Sequence, residues 1–98
     1  MAKLTTVYWR DIPAQVIAKE RRDTAKIVLT ERFAEAIDKA AMRAKMAGTD
    51  AYLEEWRREA VNCGPDLQAA ADEAAAKLEK EFDDAKLEAY VKNGGNAA

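Results

Sequence analysis

The hydrophobic period changes once along this 98-residue chain, near Thr30, and that change limits the fold more than any other feature. Before it, β-branched and aromatic residues alternate with polar ones; after it, apolar residues recur about every 3.6 positions. Strands followed by helices predict an α+β domain, with helices packed mainly against one face of an antiparallel sheet.

Leu4-Thr5-Thr6-Val7-Tyr8-Trp9 reads as a strand over about residues 3–9, with Thr5, Val7 and Trp9 on one face and Leu4, Thr6 and Tyr8 on the other. Arg10-Asp11-Ile12-Pro13 breaks it, because Pro13 cannot donate to a ladder and biases Ile12 toward extended geometry; the tetrapeptide is the natural corner of a hairpin. Residues 14–19 return as the second strand. After the polar run Lys19-Glu20-Arg21-Arg22-Asp23, residues 25–29 read as a third strand or as an extended lead into a helix. A third strand or a packed helix is needed, since an isolated hairpin is marginal.

Beyond Thr30, a good N-cap, Phe33, Ile37, Ala40, Ala41 and Ala44 share one helical face ending near Gly48. Thr49 or Asp50 caps a second helix with the stripe Tyr52, Leu53, Trp56 and Ala60, ended by Asn62-Cys63-Gly64-Pro65. Asp66 to Phe82 is an alanine-rich helix whose thin face admits close approach. Asp83 or Asp84 caps a short final helix carrying Leu87, Tyr90 and Val91, unless the preceding helix runs straight through. The expected architecture is therefore a two- or three-stranded N-terminal antiparallel sheet followed by three or four helices. It forms a single domain over residues 1–92, with 93–98 as a frayed tail. The alternative is mostly helical, with only the first hairpin in strand.

Composition removes most enzyme chemistries. Without histidine the chain has no Ser–His–Asp or Cys–His arrangement and no histidine-bound metal, and the lone Cys63 supplies neither a disulfide nor a zinc cluster. Neither a GxGxxG nor a GxxxxGK[ST] pattern is present. Adjacent carboxylates such as Glu54 and Glu55 splay around a helix and read as solvated faces. No catalytic residue, metal site or cofactor is expected. The N-terminal residues lack the pattern of a secretory signal and no apolar run reaches a membrane span, so a cytoplasmic location is expected.

Charge is uneven along the chain. Residues 1–58 hold 12 basic and 9 acidic side chains, a balance of +3, whereas 59–98 hold 4 and 9, a balance of −5. Such a dipolar chain can orient against a charged partner, or its two faces can attract one another. Two groups stand out as partner-binding candidates. Tyr8, Trp9, Arg10 and Asp11 combine residue types enriched at binding hot spots at a tight corner. The competing reading places Tyr8 and Trp9 in the core and pairs Arg10 with Asp11 at the turn. Neighbouring strand residues point to opposite faces, so an inward Trp9 leaves Arg10 at an exposed corner, and the reversed orientation makes Trp9 itself the anchor. Arg21 and Arg22, with Arg10, Lys19, Arg57 and Arg58, form a basic set able to bind phosphates, although Glu20, Asp23, Glu54 and Glu55 dilute it.

The residues 7–16, VYWRDIPAQV, followed by Thr30-Glu31-Arg32-Phe33, Ala36-Ile37-Asp38 and Asp50-Ala51-Tyr52-Leu53-Glu54-Glu55-Trp56, resemble a small bacterial family labelled virulence factor domain. The resemblance covers about residues 4–60. The label names no reaction, but some members are encoded close to folate-dependent one-carbon and methyl-transfer enzymes. The resemblance thus implies an accessory role in that metabolism.

The leading expectation is a non-catalytic accessory protein or small subunit that docks on a larger cytoplasmic enzyme, for example a methylenetetrahydrofolate reductase. The alternative is an anion or nucleic-acid binding module using Arg21 and Arg22, disfavoured by a pI near 5.2. An independent enzyme is disfavoured further.

Overall fold

The computed structural model describes residues 2–46 and 48–97. Four antiparallel strands, β1 (Lys3–Trp9), β2 (Ile12–Glu20), β3 (Asp23–Val28) and β4 (Trp56–Asn62), form one sheet in the order β3-β2-β1-β4. Between β3 and β4 lie helix α1 (Glu31–Arg43) and the single turn α2 (Asp50–Glu54), and after β4 come α3 (Leu67–Glu81) and α4 (Asp84–Lys92). The α+β class and the early hairpins agree with the sequence reading, including a third strand in β3.

The fourth strand corrects it. The stripe Tyr52, Leu53, Trp56 and Ala60 was compatible with one helix, yet helix stops at Glu54 and residues 56–62 pair with β1 from Trp9↔Trp56 to Lys3↔Asn62. Leu53 is 65% exposed, so the stripe is no core face. β1 needs a partner on its second edge, and the backbone bonds of that pairing outweigh the local helical period.

Other local signals hold in part: α1 ends at Arg43 rather than near Gly48, and Thr30 and Thr49 occupy N-cap positions without a side-chain cap bond. Helix α1 buries Phe33, Ala36, Ile37, Ala40 and Ala41. Asp66 caps α3 by accepting from the Ala69 N–H, and Asp83 caps α4 by accepting from the Lys86 N–H, so the two helices are separate. Helix α3 lays Ala71 and Ala75 against β2 and β3, the close approach that small residues allow. The alanine face is thereby used inside the fold.

Register defines two sheet faces. Leu4, Thr6 and Tyr8 align with Val16 and Ala18 and with Ala25 and Ile27, under α3. The opposite face carries Thr5, Val7, Gln15, Ile17, Lys26, Val28 and Arg58. Register shifts by one residue between Val7 and Tyr8, leaving Ala14 as the extra residue of a bulge in β2. Beyond it Trp9 and Ile12 are fully buried within the core that includes Phe33 and Leu29.

Thr30 occupies the N-cap of α1, but its hydroxyl donates across to Glu79 Oε1 at 2.8 Å and its N–H to Glu79 Oε2 at 2.7 Å. Arg32 pairs with the same carboxylate at 3.0 Å and donates to the Glu79 and Phe82 carbonyls at the end of α3. Burial alone would raise the Glu79 carboxyl, but these hydrogen bonds and the guanidinium outweigh it and hold the group below the ordinary 4.5. Because folding lowers this pKa, the carboxylate favours the folded state above the ordinary value, and that stabilisation disappears as pH falls through the lowered one. The stability advantage of the native protein over Glu79→Gln should therefore be largest near neutral pH and shrink as pH drops below about 4. Urea denaturation across that range measures it; a gap independent of pH would rule out the ionic contribution.

Candidate functional site

The β1–β2 corner is a hub within the chain. Trp9 is 0% exposed, donates its indole N–H to the Tyr52 carbonyl at 2.9 Å and stacks on the Tyr52 ring at 5.5 Å. Arg10 heads the two-residue turn with a left-handed φ of 54°. Its guanidinium donates to the Gly94 carbonyl at 2.9 Å and to Glu55 Oε1 and Met46 Sδ, each at 3.1 Å, leaving the side chain 16% exposed. The expectation of an exposed Arg10 is thus corrected: partners on three later segments cover it. Arg10 and Asp11 do not pair with one another; Asp11 Oδ1 instead binds Arg57 Nη2 at 3.0 Å. Tyr8 lies half-buried on the helix-covered face, with the Arg57 guanidinium 4.5 Å from its ring centroid.

Residues 94–97, read from sequence as part of a frayed tail, are bound at this corner; Ala98 lies outside the described residues. The Gly95 carbonyl accepts from the Asp11 N–H at 2.9 Å, and the Ala97 N–H donates to Asp11 Oδ2 at 2.7 Å. Gly95 sits against the Trp9 ring with φ of 98°, and a Cβ there would lie 2.6 Å from Cζ3. Only glycine combines that dihedral with that contact.

Arg21 and Arg22 form the β2–β3 turn, where Glu20 pairs with Asp23. β2 runs from the Trp9 end to this turn, so the two candidate groups stand roughly 25–30 Å apart along the strand. The structure does not bring them together. Arg57 and Arg58 are also divided, Arg57 toward Tyr8 and Arg58 toward the opposite face beside Val7.

That opposite face was not singled out from the sequence. Among the described residues no helix covers its length: Lys3, Lys19, Lys26 and Arg58 stand exposed around buried Val7, half-buried Ile17 and Val28, which is 66% exposed. Among the described residues, the strand positions on this face include four cations and no acid. At its bulged end, Val28, Leu29, Ala34, Ile37, Tyr52 and Trp56 line a groove of about 230 Å³, with Gln15 and Asp38 as its polar wall. Trp56, 36% exposed, is held edge-on by Tyr52 at 6.0 Å. Burial first, and the Asp38 carboxylate second, push the Tyr52 phenol above its ordinary pKa. Period-two alternation could have exposed this surface earlier only if β4 had been read as a strand and the helix-covered face identified.

The hub carboxylates Glu55 and Asp11 are paired with arginines, and half-buried Cys63 packs against the core while its N–H donates to the Ala2 carbonyl. Among the described residues no three His, Cys, Asp or Glu side chains converge as metal ligands.

The hub generates a graded set of outcomes in denaturant. Trp9→Ala should cost about 3–5 kcal/mol through lost burial and a cavity. Gly95→Ala should cost about 1–3 kcal/mol through the strained dihedral and overpacking on the indole. Arg10→Ala should cost about 1.5–3 kcal/mol, the worth of hydrogen bonds to a charged group. Gly64→Ala, with open space around it, should stay within about 0.5 kcal/mol. Equal stability of Gly95→Ala and Gly64→Ala would show that the 94–97 segment does not hold the corner.

No curated protein and no solved structure matches the chain significantly. A family model described as virulence factor matches residues 7–91, through both C-terminal helices and beyond the span suggested by the sequence resemblance. The chain belongs to the virulence factor family.

Proposed function

We propose that the chain is a non-catalytic accessory protein that docks on a larger cytoplasmic enzyme through the open face of its sheet. The observation that carries this reading is the face itself: exposed Val28 and half-buried Ile17, with Val7 buried between them and Arg58, Trp56 at one end, and a rim of Lys3, Lys19, Lys26 and Arg58. An apolar centre with a charged rim is the anatomy of a protein interface, and a rim of one sign selects a partner of the other. The fitting partner surface is apolar with acidic margins. Of Tyr8, Trp9, Arg10 and Asp11, Trp9 supports docking indirectly, because it stacks on Tyr52, which packs edge-on against Trp56. The family's suggested association with one-carbon metabolism makes a folate-dependent enzyme, methylenetetrahydrofolate reductase, the first partner to test.

A second reading, binding of anions or nucleic acid, is favoured by one observation. Lys3 pairs with Lys19 beside the Arg21–Arg22 turn, which gathers four cations at one end of the sheet. Such binding would weaken steeply with salt and with Arg21→Ala plus Arg22→Ala.

Co-expression of the full chain with the tagged reductase, followed by affinity measurement, tests the docking reading. Lys26→Glu plus Arg58→Glu should weaken the complex by about tenfold or more while leaving the circular dichroism spectrum unchanged. Undiminished binding by that variant would remove the sheet face as the docking surface. Binding of mixed RNA or DNA that follows Arg21 and Arg22 would support the second reading instead.

A further inference from the structure

The groove beside Trp56 adds an anchor to the docking reading, on which this inference rests. Its walls are preset: Trp56 is braced by Tyr52, itself stacked on fully buried Trp9, while Ile37 and Ala34 project from α1. A preorganised apolar slot binds a side chain without first having to order its own walls. Its volume of about 230 Å³ suits one bulky side chain rather than a length of peptide.

The surroundings limit the ligand further. Gln15 and Trp56 belong both to the groove and to the shallow basin beside Val7 and Arg58, so the two surfaces are continuous. Lys26 lies two residues before Val28, and Arg58 two residues after Trp56, each on the same face as its neighbour. Each cation is thus about 7 Å along its strand from a groove wall. Among the described lining residues the one acid, Asp38, comes from α1 and forms the helix side of the groove, opposite the strands that carry Lys26 and Arg58.

We infer that this groove receives one large apolar side chain from an acidic segment of the partner, with that segment's carboxylates lying over Lys26 and Arg58. The central strands favour a protein over a nucleic acid here. Thr5, Val7, Gln15 and Ile17 offer no aromatic platform for successive bases, and Trp56 and Tyr52 meet edge-on at one end of the face rather than along it.

The test uses the full chain and two synthetic peptides of glutamate and alanine, identical except for a central phenylalanine or alanine. Binding is followed by chemical shifts of the Val28, Leu29 and Ile37 methyl groups and by indole fluorescence. The phenylalanine peptide should bind about tenfold or more tightly than the alanine peptide and shift those methyls. Ala34→Phe, which fills the groove from an exposed helix position, should erase that preference; Trp56→Ala should reduce it. Arg58→Glu should weaken both peptides. Equal affinity for the two peptides, or a preference that survives Ala34→Phe, overturns the anchor, while sensitivity to Arg58→Glu would leave the docking face standing. Insensitivity to Arg58→Glu removes the docking face as well. Absence of binding by either peptide overturns the inference, as does an oligothymidylate that binds the same face more tightly than the phenylalanine peptide.

Discussion

Burial of the Trp9 indole at the closed end of the first hairpin is the constraint on which the rest of the molecule depends. The ring must be covered on both sides and its N–H must find an acceptor, since an unpaired buried donor costs about 1–3 kcal/mol. Tyr52 supplies the acceptor and one covering surface, and Gly95 supplies close contact on the ring. Those two requirements draw α2 and residues 94–97 to the same corner. With α2 in place, the chain leaves Glu55 aimed along β1, and Trp56 begins the fourth strand opposite Trp9. Arg10 and Arg57 then satisfy the carbonyls and carboxylates that this convergence crowds together.

Helix α3 decides which part of the sheet remains available. Its alanines approach β2 and β3 closely, and it is too narrow to cover four strands, so β4 is largely exposed on both faces. Cations from residues 1–58 occupy the face that α3 leaves open, while the acid-rich remainder, residues 59–98, supplies α3 and α4. An asymmetry along the sequence thereby becomes a polarity in space, with a field able to orient an incoming acidic surface.

Much of the fold was legible because its signals are local. Alternation in residues 3–9 and 15–19, the stripe of α1 and the Asp66 and Asp83 caps each depend on near neighbours, whereas Ile12 and Pro13, read as part of the corner, lie inside β2 and the turn is Arg10 and Asp11 alone. β4 was not legible, because Tyr52, Trp56 and Ala60 satisfy a helical period as well as the strand that forms. The candidate corner was less legible: alternation sets Trp9 on the side of Thr5 and Val7, its cover comes from Tyr52 and Gly95 far along the chain, and the partners of Arg10 lie 36, 45 and 84 positions away.

By itself, then, the sequence determined the strand-then-helix class, the first hairpin, the helix starts and the scarcity of conventional catalytic groups, since each follows from residue type and spacing over a few positions. Only the tertiary structure decided that residues 56–62 close the sheet, that Gly95 is seated on an indole rather than free in a linker, and that Lys3, Lys19, Lys26 and Arg58 share one open face. Those outcomes depend on which distant surface each segment meets. Backbone pairing and ring packing across many residues settle that, and no local period encodes it.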